Sequence, residues 1–191
     1  MSETPLGAIL TGGRSSRMGT DKADVVVAGE TMLDRVAKAV QAASDRVILL
    51  GSDRPGWECW PDSVHAEGPL AGIVTALNRM SSSRVLVVAV DQPFVDPETL
   101  RRLVAIDSEL PVVPVDDEGV RQVTCAVYPR AVTHAANEEA NLGGSIQMLL
   151  DRVSFDPVTP DVWRAWGEDG RSWFGVDTPE ALADGMARFP G

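Results

Sequence analysis

Residues 10–22 read "LTGGRSSRMGTDK", placing Gly12 and Gly13 side by side ahead of Ser15, Arg17 and Lys22. Adjacent glycines let a backbone approach a ligand closely and aim N–H groups at it, while hydroxyl, guanidinium and ammonium groups suit phosphate oxygens. Lys22 is then a point charge for the oxygens of a polyphosphate and Arg17 a planar clamp. The bland alternative is a solvated cationic loop. Asp91 supplies the opposite charge, at the end of the apolar run 83–90 and two residues before Pro93. A carboxylate at the carboxyl end of a buried strand faces the ligand crevice. There it suits Mg²⁺, which is commonly held by one or two carboxylates together with phosphate oxygens. Asp177, just before "TPEAL", is a second candidate metal ligand and reads almost as well as a plain turn residue. Asp96 suits the cap of a helix starting near Pro97 better than Asp91 does.

Two familiar phosphate loops are excluded by spacing. A dinucleotide fingerprint needs GxGxxG, whereas here the glycines are adjacent and the next is Gly19. A Walker A loop needs GxxxxGK followed by Ser or Thr, an order that does not occur.

The elements that must position these residues alternate along the chain. Runs 6–10, 45–51 and 83–90 are continuously apolar, as expected of strands covered on both faces. Segments 31–43 and 70–80 have helical apolar spacing. Strands alternating with helices imply βαβ units and a mainly parallel sheet. Segments 110–115 and 121–128 read as two strands joined by a tight acidic turn, "DDEG", with Cys125 buried in the second. Helices are expected at 130–139 and 144–151, a loop at 161–174 ending in a strand at 173–176, and a closing helix at 178–189 capped by Thr178 with Pro179 at its first position. A single α/β domain over 1–191 follows, with a mixed, mainly parallel sheet.

Composition narrows the class. The net charge of −11, from 17 basic and 28 acidic residues, argues against a nucleic-acid or anionic-membrane surface and sets the basic cluster near Arg17 apart. No stretch approaches the roughly 20 apolar residues of a membrane span, and "MSETPLGAIL" lacks the features of a signal peptide. Cys59 and Cys125 are far apart without CxxC spacing, so reduced thiols in a cytoplasmic protein are expected. His65 and His134 are isolated and make neither a zinc site nor a catalytic triad.

The full string L-x-G-G-x-S-x-R-M-G-x-D-K resembles the signature of the small nucleotidyltransferases headed by molybdenum cofactor guanylyltransferase. "EGPLAGIVTAL" (67–77) is similar to that family's Gly-Pro-Leu turn entering a helix, "VAVDQPFV" (88–95) to its metal-binding segment, and "GVDTPEAL" (175–182) to its Asn/Asp-Thr-Pro-Glu pattern. The resemblance implies a three-layer, Rossmann-like fold of the GT-A type. It also implies transfer of GMP from GTP to the phosphate of molybdopterin, with release of pyrophosphate. Arg17, Lys22 and Asp91 would be the catalytic set, with Mg²⁺ on Asp91. Nucleotide contacts would come from Leu10, Thr11, Gly12, Gly13, Ser15, Lys22, Asp62 and Asp91. Asp62, ahead of the Gly-Pro-Leu turn, would read the N1 and N2 edge of guanine. Gly12 favours guanine, because the cytidine relatives tend to carry L-x-A-G.

The sequence also departs from the pattern. Thr11 replaces the usual Ala, and "ILLGS" (48–52) lacks an Asn common in the family. "NLGGSIQML" (141–149) carries no basic residue where the family commonly has Gly-Glu-Arg. That leaves Arg121 and Gln122 as candidate acceptor contacts. The rival readings are the same chemistry with CTP or another phosphate acceptor, and a nucleotide-binding module without turnover.

Overall fold

The computed structural model describes residues 4–12, 21–51, 53–62 and 68–190. Its strands and helices follow in the order β1 (Leu6–Leu10), β2 (Val26–Val27), β3 (Glu30–Thr31), α1 (Met32–Gln41), β4 (Val47–Leu50), β5 (Cys59–Trp60), α2 (Pro69–Arg79), β6 (Arg84–Ala89) and α3 (Pro97–Ala105). The second half adds β7 (Val112–Pro114), β8 (Cys125–Pro129), α4 (Thr133–Asn141), α5 (Ile146–Arg152), β9 (Asp156–Val158), α6 (Pro160–Ala165) and α7 (Pro179–Arg188).

Seven strands form one sheet in the order β5-β4-β1-β6-β8-β7-β9, while β2 and β3 make a small separate hairpin. β8 alone runs against its neighbours β6 and β7; the other pairings in the large sheet are parallel. The expected mixed, mainly parallel α/β sheet is therefore present. Side chains alternate across it with the two-residue period of a strand. Ala8, Leu10, Ile48, Leu50, Val85 and Val87 face one buried cluster with α2, α4 and α5. Ile9, Leu49, Leu86 and Val88 face the other, with α1, α3 and Trp163 of α6. Burial on both faces explains why these strands read as unbroken apolar runs, and it makes the architecture three-layered.

Local chemistry sets the helix ends. The Thr31 side chain accepts from the Asp34 N–H at 3.1 Å, Asp96 from Glu98 N–H at 2.9 Å, and Thr178 from Ala181 N–H at 3.1 Å. Pro97 and Pro179 stand in the first turns that those caps open. The acidic turn before β8 is closed by Asp116 Oδ1, which accepts from the N–H groups of Glu118 and Val120.

Two expectations for the region 161–176 are corrected. The segment holds the short helix α6 and a 3-10 turn, Arg171–Trp173, rather than a plain loop. Only Trp163 of α6 is buried, so no periodic stripe announces the helix. Its ring packs edge-on to Trp173 at 5.3 Å and its Nε1 donates to the Val115 carbonyl at 2.9 Å. No strand forms at 173–176. Val176 donates one bond, to the Asp91 carbonyl at 2.7 Å, and Phe174 turns into a cluster with Phe94 and Phe189. Aromatic packing and a single backbone bond hold the segment there in place of a ladder.

Candidate active site

β1 is flanked by β4 on one side and β6 on the other. From β1 the chain runs through α1 to β4 and β5, then crosses through α2 to β6. That reversal makes the carboxyl edge of β1, β4 and β6 a switch point, where open α/β sheets leave a crevice for ligands. A cleft of about 320 Å³ opens there.

Its walls come from four directions. Leu10, Thr11 and Gly12 leave β1, and Ala89, Val90 and Asp91 leave β6. The tie between them is backbone: Val90 N–H donates to the Leu10 carbonyl at 3.0 Å. Gly68, Pro69 and Gly72 bring the amino end of α2 to the cleft. Gly68 has φ +70° and no described side chain caps the helix, so its first-turn N–H groups and positive dipole end face the cleft. A Cβ on Gly72 would come within 2.5 Å of Leu10 Cδ2, so only glycine lets α2 seat this closely on β1. Thr124 enters from β8, because an antiparallel strand presents its amino end where β6 presents its carboxyl end.

The β1 exit is rigidly built. Thr11 donates to the Leu50 carbonyl twice, from its N–H at 2.9 Å and from Oγ1 at 3.0 Å. The extra hydroxyl of this Thr therefore closes on the protein's own backbone. Gly51 has φ +111°, and a Cβ there would lie 2.9 Å from Gly12 N and 3.0 Å from Gly12 Cα. The β1 and β4 exits thus cross at a glycine. Behind β6, the buried Gln92 accepts from Ala89 N–H at 3.2 Å and donates to Thr124 Oγ1 at 3.3 Å, tying both cleft walls together.

Charge gathers at one end of the cleft. Lys22 Nζ lies 3.0 Å from Asp91 Oδ2 and also meets Asp177 Oδ1. Burial opposes the ammonium, but the hydrogen bond to Asp177 and the charge and hydrogen bond of Asp91 outweigh it, so the Lys22 pKa is raised. Lys22 stays charged at neutral pH. Asp62 lines the opposite part of the cleft; its residue opens to solvent, yet desolvation pushes its carboxyl above the usual carboxylate range. Cys125 is no nucleophile here, because burial pushes its thiol far up.

The structure therefore brings Leu10, Thr11, Gly12, Lys22, Asp62 and Asp91 into one cleft. Asp177 joins through Lys22. Gly13, Ser15 and Arg17 lie outside the described residues. Arg121 and Gln122 are engaged by their own surroundings. Arg121 pairs with Asp151 at 2.8 Å and stands over the Phe155 ring, while Gln122 Nε2 donates to Asp116 Oδ2 at 2.8 Å. Sequence reasoning missed Thr124 and Gly51, and quoted Asp21 only as part of the glycine-rich string without giving it a role. A lone Thr just ahead of a strand gives no signal, and Gly51 is one more glycine until its φ and its contact with Gly12 are known.

Could this site accept a divalent cation? Asp91 and Asp177 already converge on one cationic point, the Lys22 ammonium. Two carboxylates without a third, beside a cleft of polyphosphate size, match a metal that shares its shell with phosphate oxygens. Among the described residues no cluster of three or more His, Cys, Asp or Glu is placed to hold one.

Fold and cleft together define a Rossmann-related α/β protein with an open crevice at its switch point. The chain belongs to the MobA-like NTP transferase family, whose model matches residues 7–155. A probable molybdenum cofactor guanylyltransferase from Pelotomaculum thermopropionicum is 36% identical, over 92% of this chain and 89% of that protein. The molybdopterin-guanine dinucleotide biosynthesis protein A of Archaeoglobus fulgidus shares the fold, with a TM-score of 0.82 at 22% identity over 96% of this chain and 97% of that one. A Mycobacterium tuberculosis protein solved in complex with manganese has a TM-score of 0.70 at 20% identity, over 97% of this chain and 99% of that one.

Proposed function

We propose that this chain is a cytoplasmic molybdenum cofactor guanylyltransferase, acting as one domain, that transfers GMP from GTP to the phosphate of molybdopterin. A phosphate oxygen of the acceptor attacks the α-phosphorus, the bond to the β-phosphate oxygen breaks, and pyrophosphate leaves with the electron pair. The acceptor phosphate is already ionised near neutral pH, so the step calls for positioning and charge neutralisation more than for a general base. The free thiols of Cys59 and Cys125 fit the cytoplasmic setting.

The observation that carries this reading is the charge cluster Lys22–Asp91–Asp177 at the end of a switch-point cleft whose other end holds Asp62. Lys22 is held charged where the triphosphate must lie. Leu10, Thr11 and Gly12 present backbone to the base, and Asp62, once ionised, can accept from the N1 and N2 donors of guanine, an edge cytosine does not offer. Arg17 and Ser15 are proposed to complete the phosphate contacts. Asp91, with Asp177, would hold Mg²⁺, which when bound supplies Lewis-acid neutralisation of the triphosphate oxygens.

A second reading, the same transfer to a different phosphate acceptor, is favoured by one observation. Arg121 is committed to Asp151, and the 141–149 segment has no basic residue to bind a pterin phosphate.

Titration calorimetry with GTP, CTP, ATP and UTP in the presence of Mg²⁺, followed by incubation with molybdopterin, tests both. Binding of GTP above the others and formation of the guanine dinucleotide are expected. Preference for CTP would overturn the guanine assignment. Tight GTP binding without dinucleotide would replace molybdopterin by another acceptor.

A further inference from the structure

Lys22 stands on a single 3-10 turn, Lys22–Asp24, that follows directly on the glycine- and arginine-rich stretch. Asp21 caps this turn from an extended conformation and Asp24 is its last residue. One guanidinium meets both. Arg54, on the β4–β5 connection, places Nη1 2.7 Å from Asp24 Oδ1 and Nη2 3.2 Å from Asp24 Oδ2, and Nη2 also lies 2.6 Å from Asp21 Oδ2. The other Asp21 oxygen, Oδ1, accepts from Ala23 N–H at 3.0 Å and so caps the turn. The side chain of Arg54 is only 16% exposed, whereas Asp21 and Asp24 are 46% and 61% exposed. The anchor is thus the less exposed member and the turn is what it holds. Ala23, fully buried against the α1 layer, pins the turn from inside. With Ala23 and the two carboxylates so directed, Lys22 is left to project toward Asp91 and Asp177.

We propose that Arg54 is a positioning residue for nucleotidyl transfer: by clamping Asp21 and Asp24 it holds the turn in the register that carries the Lys22 ammonium into the cleft. The proposal rests on the reading that Lys22 meets the triphosphate. Arg54 touches no reacting group itself and acts through Lys22. Lysine is a poor replacement, because an ammonium lacks the planar fork that meets both oxygens of Asp24 while also reaching Asp21. The hydrogen bonds to two charged acceptors restrain the turn against the entropy of an exposed segment.

The test is a double-mutant cycle read by calorimetry with inorganic triphosphate and Mg²⁺, which needs no base and no turnover. Arg54→Ala is expected to weaken triphosphate binding about 10-fold, and Arg54→Lys by nearly as much. In a Lys22→Ala background, Arg54→Ala should change binding by less than about 2-fold, because the group it positions is gone. Equal weakening in both backgrounds would show a general structural role and overturn the proposal. So would unchanged binding by an Arg54→Ala protein that melts like wild type, or absence of triphosphate binding by wild type. Should Arg54→Ala lose its cooperative melt, Asp24→Asn keeps Arg54 and one carboxylate; it is expected to weaken binding about 3-fold with the melt intact, and unchanged affinity would overturn the proposal. Wild-type protein that binds inorganic triphosphate but does not prefer GTP defeats the guanylyl assignment alone, since the cycle decides the role of Arg54 without reference to the base.

Discussion

Gly51→Ala should destabilise this protein and disturb its cleft together. Gly51 has φ +111°, a region that residues with a side chain enter only at about 1–3 kcal/mol. The new Cβ would also lie 2.9 Å from Gly12 N and 3.0 Å from Gly12 Cα, both backbone atoms that no rotamer change can move. Overpacking of this kind costs about 1–3 kcal/mol. Against these stands the lost freedom of the unfolded chain, which favours Ala by about 0.4–1 kcal/mol. The net is a destabilisation centred near about 3 kcal/mol, a large part of the roughly 5–15 kcal/mol that holds a domain folded. In a chain of this length it should lower Tm by about 5–15 °C. Relief of the contact must push Gly12 away from β4, so GTP affinity should fall as well. Gly12→Ala is the control. Among the described residues its nearest neighbour would be Gly51 Cα at 3.8 Å, an ordinary contact, and its φ is not positive. That variant should melt close to wild type while binding GTP more weakly, because there the methyl meets the base instead of the protein. Urea denaturation with calorimetric titration of GTP reads both quantities. A Gly51→Ala protein within about 0.5 kcal/mol of wild type, with unchanged GTP affinity, would refute the crossing-loop account.

Three further outcomes are expected. Asp91→Asn should keep the fold, since the carboxylate is partly exposed and its pair with Lys22 is worth about 1 kcal/mol or less, but should lower Mg²⁺-dependent pyrophosphate release at least about 100-fold; an undiminished rate would remove Asp91 from the charge site. Glu168 is buried and accepts from Thr99 Oγ1, Ser172 Oγ and the N–H groups of Asp169, Gly170 and Ser172. Glu168→Gln would turn a donor toward donors, costing about 2–3 kcal/mol in urea unfolding without altering GTP affinity; a loss below about 0.5 kcal/mol would count against it. Desolvation raises the Asp62 carboxyl, so its protonated form favours folding below the usual carboxylate range and that contribution is lost as pH rises through the raised value. Guanine recognition needs the ionised form, so GTP affinity should fall as pH drops through the same window. Asp62→Asn should flatten that profile, and an identical slope in both proteins would show that another group titrates.

Much of the architecture was legible because burial imposes a pattern that local residues must carry. The runs at 6–10 and 83–90 became β1 and β6 within a residue, since both faces of these strands are covered and every side chain must be apolar. Asp96 and Thr178 announced their helices because a cap is a contact over two or three residues. The short edge strand β9 and the helix α6 carry too few buried side chains to give a period. Leu10, Thr11, Gly12, Lys22, Asp62 and Asp91 were readable as a set only through the ordered motifs. Residue types alone left Asp91 and Asp177 as two separate acids, one of them indistinguishable from a turn residue.

The sequence by itself determined the alternation of strand and helix, the helix caps, and the chemistry on offer in "LTGGRSSRMGTDK": paired glycines, cations and a carboxylate at a strand end. These are properties of neighbouring residues, and chain order preserves them. Only the tertiary structure decided that Lys22 stands between Asp91 and Asp177, residues 69 and 155 positions away. It alone brought Thr124 to the cleft at the amino end of an antiparallel strand, and set Gly51 against Gly12 and Arg54 against Asp21 and Asp24. Such meetings depend on which strand lies beside which in the sheet, and that order follows from packing the whole core at once.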